Sequence, residues 1–117
     1  MKVYIAESDG IYPEIEEKND IVSSLDESDV VFIPPGGLSA IFDLSQALKL
    51  GKKTVLFNKN MYYKDLINHL YKAHLEGDIK NPPSGYLIIE SDIHEVNKRL
   101  EEIKNDKIND GKTSKLL

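Results

Sequence analysis

The sequence predicts an α/β domain built on an open parallel sheet, and three observations carry that reading. Short β-branched runs recur along the 117 residues: "KVYIA" (2–6), "DVVFIP" (29–34), "KTVLF" (53–57) and "GYLIIE" (85–90). A longer segment with helical spacing follows each run, and alternation of this kind belongs to parallel sheets. The runs are apolar at successive positions, so both faces of the sheet need cover.

Each element has its own local warrant. After the first run, Glu14, Glu16 and Glu17 suit the start of a solvated helix, where the dipole favours negative charge. Tyr62, Leu66, Ile67, Leu70 and Ala73 share a helical stripe after the third run, and Ile93, Val96, Leu100 and Ile103 share one after the fourth. Ser91 or Asp92 is the expected N-cap of the last helix, and Gly51 and Gly77 sit where helices should stop. The expectation is a Rossmann-like open parallel sheet of about four strands with flanking helices, one domain over residues 1–104. From Asn105 onward "NDKINDGKTSKLL" loses its periodicity and reads as a frayed or disordered tail.

Composition excludes several classes. A net charge of −5 argues against a nucleic-acid groove. The absence of cysteine removes disulfides, thiolate nucleophiles and zinc–thiolate sites. "MKVYIAES" is too short for a signal-peptide core, and nothing approaches the ~20 apolar residues of a membrane span. The chain therefore reads as cytoplasmic, with no nucleic acid, no membrane and no cofactor among its partners. His69 and His74 are five apart, not at the i, i+4 spacing of a metal pair, and His94 stands alone. No metal site is expected.

The stretch that points to chemistry is "VVFIPPGGLSAIFDLSQAL" (30–48), where a strand reaches two glycines and a helix begins. Ligands of open parallel sheets bind beyond the carboxyl ends of the strands. Gly36 and Gly37 would let backbone N–H groups approach a phosphate, with Leu38, Ser39 and Ala40 in the first helical turn. A strand-to-helix turn without a ligand explains the same residues. Ser8, Asp9 and Gly10 close the first strand in the same way, as a second stretch of ligand-binding loop or as an ordinary capped turn. Asp43 is the only acid on the first turns of the second helix. It could stabilise the positive charge that develops when an N-glycosidic bond breaks, or simply be solvated.

"PGGLSAIFD" resembles the PGGxGTxxE motif of the LOG (Lonely guy) family, the cytokinin riboside 5′-monophosphate phosphoribohydrolases. "GKKTVLFNKNMYYKDLINHLYKAHLEGDI" is similar to that family's next strand and helix, and "SGYLIIESDIHEVNKRLEEI" to its closing strand and helix. The resemblance covers residues 29 to about 103. It implies a ribose-phosphate loop at Gly36, Gly37, Ser39 and Ala40, a catalytic carboxylate at Asp43, and a homodimer. It also implies that Tyr62 or Tyr63 faces a base. Ser39 and Ala40 replace the motif's third Gly and Thr, and Asp43 its Glu. Asp20 falls where the family carries Arg, so one phosphate clamp is missing.

The expected function is binding of a nucleoside 5′-monophosphate or related ribose phosphate, with hydrolysis of its N-glycosidic bond. Two alternatives stand beside it. One is a nucleoside 2-deoxyribosyltransferase-like enzyme, which "MKVYIA" resembles and which needs no 5′-phosphate. The other is a catalytically degenerate nucleotide sensor or sequestering protein. A bulky residue at Gly36 or Gly37 is expected to block ligand and spare the fold. Topology gives the homodimer a reason of its own: strands in chain order put three helices on one face, leaving the other apolar face open.

Overall fold

The computed structural model describes residues 1–8, 10–75 and 87–108. Strand β1 (Lys2–Ile5) leads to helix α1 (Pro13–Lys18) and a two-residue strand, β2 (Asp20–Ile21). A 3-10 turn (Leu25–Glu27) precedes β3 (Val30–Ile33), α2 (Leu38–Lys49) and β4 (Lys53–Phe57). A second 3-10 turn (Lys59–Met61), α3 (Lys64–Leu75), β5 (Leu87–Glu90) and α4 (Ile93–Ile108) complete the order. The five strands are all parallel, in the order β2-β1-β3-β4-β5.

This is the expected open parallel sheet, with one strand more than the sequence announced. The extra strand changes the topology. The chain first steps outward from β1 to β2, then crosses back over β1 to β3. Right-handed crossovers put helices on opposite faces when the winding reverses. Ile15 of α1 and Val96, Leu100 and Ile103 of α4 pack on Val3, Val30, Phe32, Val55 and Phe57. Ala40, Leu44 and Ala47 of α2, with Tyr63, Leu66 and Ile67, pack on Ala6, Val31, Ile33 and Leu56. Asn97 of α4 donates to Glu14 at 2.9 Å, joining the two helices of the first face. Both faces are thus covered within one chain, and the topological reason for a dimer is gone.

Local chemistry explains the ends of the elements. Gly51 (φ 71°) closes α2, with Lys52 N–H donating to the Ala47 carbonyl and Gly51 N–H to that of Leu48. Asp92, not Ser91, caps α4: its Oδ1 accepts from His94 N–H at 2.7 Å. Helix α4 continues to Ile108, past the point where its apolar spacing fades. Gly77 and residues 109–117 lie outside the described residues. Among the described residues, no helix is long and apolar enough to cross a membrane.

Candidate functional site

The reversal of winding sets the carboxyl ends of β1 and β3 side by side with their helices departing on opposite faces. That switch point is where doubly wound sheets bind ligands. Here the β3–α2 turn, Pro34 to Gly37, meets the segment that leaves β1.

The two glycines of the turn have different reasons to be glycine. A Cβ on Gly36 would lie 2.5 Å from the Glu7 carbonyl oxygen and 2.9 Å from Ala40 Cβ. Gly36 therefore lets β3 turn against the end of β1, and a side chain there would disturb the fold before it met any ligand. This corrects the expectation that a bulky residue at position 36 spares the fold. A Cβ on Gly37 would meet nothing within 4 Å. Neither glycine has a positive φ.

Gly37 is the N-cap of α2 and has no side chain to offer. Its carbonyl accepts from Ala40 and Ile41 N–H at 3.1 and 3.3 Å. The backbone N–H groups of Gly37, Leu38 and Ser39 have no partner among the described residues. These orphan donors sit at the positive end of a three-turn helix dipole. Ala40 contributes differently from the expectation, since its N–H is spent and its methyl is buried in the core.

Two tyrosines fix the turn. Tyr63 is 3 % exposed and donates its hydroxyl to the Pro34 carbonyl. Burial pushes its pKa up to about 12, while the Gly36 N–H at the phenol oxygen pulls it down. Tyr62 is exposed, and its hydroxyl donates to the Gly36 carbonyl at 2.7 Å.

Asp43, half-buried on α2, accepts a hydrogen bond from Tyr4 of β1 at 2.9 Å. Burial raises the Tyr4 pKa to about 12, helped by the Asp43 bond and charge and by the charge of Glu7. Glu7 had no signal in the sequence: one acid beyond a strand reads as solvated. In the fold its carboxylate reaches to 3.5 Å from the Ser39 hydroxyl, the outer limit of a hydrogen bond. The site thus holds two acids and three hydroxyls: Asp43, Glu7, Tyr4, Ser39 and Tyr62.

The β1–α1 turn is less involved. Ser8 Oγ accepts from Gly10 N–H at 3.3 Å, the bond of a self-contained turn. A Cβ on Gly10 would touch the Tyr12 hydroxyl at 2.7 Å, and Tyr12 packs on the α1–α4 face. Asp9 lies outside the described residues. His69 and His94 are exposed, and no group of three metal-binding side chains occurs among the described residues. A cavity of about 380 Å³, lined by Ser28, Asp29, Gly51, Lys52, Lys53 and Ile103, opens at the opposite ends of the strands. There the Lys52 ammonium is held by the carbonyls of Asp26 and Ser28 at 3.0 and 2.7 Å, a structural strut.

Fold and site together define a doubly wound α/β domain with a candidate ligand site at its β1/β3 switch point. No family model, curated protein or solved structure matches the chain.

Proposed function

We propose that this site binds a nucleoside 5′-monophosphate or a related ribose phosphate and hydrolyses its N-glycosidic bond. The observation that carries the reading is the set of unpartnered N–H groups at Gly37, Leu38 and Ser39, on the same helix as a carboxylate held by Tyr4. The donors suit a phosphate oxygen, and Asp43 suits the charge on the ribose ring. In the reaction the C1′–N bond breaks and its electron pair leaves with the base. Water supplies the oxygen that binds C1′ and the proton that the base takes up. The products are a free base and ribose 5-phosphate.

A panel of nucleoside 5′-monophosphates incubated with the protein and assayed for free base tests this. Base release by the parent, lost in Asp43→Asn with binding retained, is the expected result. Binding without release in the parent would leave a ligand-sequestering protein.

Glu7 favours a second reading. Its carboxylate beside Ser39 opposes a phosphate at the cradle but suits a sugar hydroxyl. A nucleoside without 5′-phosphate, as a deoxyribosyltransferase-like enzyme would use, then becomes the ligand. Tighter binding of nucleosides than of their monophosphates, reversed in Glu7→Gln, selects this reading.

A further inference from the structure

The peptide between Gly36 and Gly37 is the one unit of the turn with no Cβ on either side. Little steric resistance opposes rotation of such a plane. The peptide is trans, so the Gly36 carbonyl and the Gly37 N–H point in opposite directions. Where the carbonyl goes therefore decides where the N–H goes. A flip of the plane would carry the Gly37 φ from −86° to the positive side, which glycine enters freely. It would also turn a carbonyl oxygen outward, an acceptor where a ligand oxygen needs a donor.

The hydrogen bonds of the turn oppose that flip. The two preceding peptides are held from the buried side, by the Tyr63 hydroxyl on the Pro34 carbonyl and the Gly36 N–H at the Tyr63 phenol oxygen. Tyr62 holds the next one, its hydroxyl donating to the Gly36 carbonyl at 2.7 Å. The Gly37 N–H on the other side of that plane has no partner among the described residues. Tyr62 is 55 % exposed, and so open a bond adds little to stability. The backbone that presents it is nonetheless strained, with Asn60 (φ 51°) and Met61 (φ 59°) both in the left-handed region. Asn58 holds this segment, its carbonyl accepting from Met61 N–H at 3.3 Å and its Oδ1 from Tyr63 N–H at 2.7 Å. Strain of this kind persists only where its surroundings over-determine it.

We infer that Tyr62 is a positioning residue: by pinning the Gly36 carbonyl it sets the plane of the Gly36–Gly37 peptide and presents the Gly37 N–H to a ligand oxygen. The inference rests on the ligand reading of the β3–α2 turn. The same bond polarises the peptide, which strengthens its N–H as a donor. A plane ordered beforehand also relieves binding of that ordering cost. Tyr62 thus acts on affinity without touching the ligand.

Backbone amide relaxation by NMR and calorimetry test this on the parent and on Tyr62→Phe, which keeps the ring and removes the hydroxyl. In the ligand-free parent the Gly37 N–H should be rigid, with an order parameter of about 0.85. In Tyr62→Phe it should fall below about 0.6 or show slow exchange absent from the parent. Ribose 5-phosphate, adenosine 5′-monophosphate and adenosine are the binding probes. Each probe that the parent binds should bind Tyr62→Phe at least about five-fold more weakly, the least that ordering one residue's backbone costs. Melting should move by no more than about 4 °C, whereas a merely structural bond would move melting and leave affinity alone. A Gly37 N–H equally rigid in both proteins overturns the inference even if binding weakens, since Tyr62 would then touch the ligand itself. Undiminished affinity beside a loosened Gly37 overturns it as well. If the parent binds none of the three, the ligand reading of the turn falls and takes this inference with it, while the relaxation data still show whether the plane is pinned.

Discussion

The Tyr4 hydroxyl of β1 donates to Asp43 Oδ2 of α2 at 2.9 Å, tying the strand at the switch point to the helix that leaves its neighbour. The bond fixes one carboxylate oxygen and leaves the other available.

Removing the hydroxyl with Tyr4→Phe should lower stability by about 1 kcal/mol, below the roughly 1.5–3 kcal/mol of a bond to a charged acceptor, since the pair is half-exposed. Thermal unfolding should register a fall of about 5 °C for a domain of this size. A structural role alone predicts nothing further. In addition, Asp43→Asn should lower the Tyr4 titration midpoint, because part of its rise comes from the Asp43 bond and charge. Ultraviolet difference titration, with Tyr4→Phe to assign the signal, checks this. An unmoved late-titrating tyrosine in Asp43→Asn would mean that the pair does not form.

Alkaline stability follows from the same residues. Tyr4 and Tyr63 ionise at about 12 in the fold, against about 10 in the unfolded chain. Between those values the unfolded chain has released protons that the folded one keeps. Stability is therefore full below pH 10 and falls as pH rises through 12. The limit is about 1.4 kcal/mol per pH unit for buried Tyr63, and less for the partly solvated Tyr4. Urea unfolding at about pH 9 and about pH 11 measures it. A flat profile across that interval would contradict both raised values.

The two glycines of the turn should separate under mutation. Gly36→Ala forces a methyl against the Glu7 carbonyl and Ala40, in a contact that only backbone movement relieves. It should cost about 1–3 kcal/mol, the range for overpacking. Gly37→Ala enters open space with φ −86° and should cost at most about 1 kcal/mol, the disadvantage of Ala against Gly at an N-cap. On the proposed ligand reading the added carbon at position 37 occupies ligand space, so binding should fall by more than the change in stability accounts for. Equal melting of the two variants would refute this division of roles.

These contrasts mark where the sequence was legible. Val3, Val30 to Ile33 and Thr54 to Phe57 announce their strands, because burial on both faces writes continuous apolar runs, and the spacing of Val96, Leu100 and Ile103 announces a helix buried on one face. Strand β2 wrote nothing: Asp20 and Ile21 make only two ladder pairs, at an exposed edge, within a polar stretch. Missing it put α1 on the wrong face, with α2 and α3. The turn after β3 and the place of Asp43 on the helix that follows were legible, because two glycines between an apolar run and a helical stripe mark a strand-to-helix junction. Glu7 and Tyr4 were not, because their meaning comes from β1 lying beside β3, a contact 32 to 39 residues long in sequence. Of the two adjacent tyrosines, only the fold decides that Tyr63 is core and Tyr62 is exposed.

Homodimerisation loses its sheet-face argument but has another candidate surface. Leu38 (85 % exposed), Ile41 and Phe42 (62 %) lie at i, i+3 and i+4 on α2, one outward stripe. Within residues 38–48 Asp43 is the only charged residue, and it is turned to Tyr4. In a chain of net charge −5, two copies of this stripe could meet without like-charge repulsion. Three side chains from each copy contribute roughly 1.5–3 kcal/mol each if fully buried, against an association cost of about 4–15 kcal/mol. The two ranges overlap, so the stripe predicts at most a weak, concentration-dependent dimer. Light scattering should therefore give a mass rising from that of one 13.2 kDa chain toward two as concentration increases through the micromolar range. Phe42→Glu, which puts two like charges face to face, should hold the protein at one chain throughout. A parent that stays at one chain's mass at every concentration would show that the stripe pairs with no second copy.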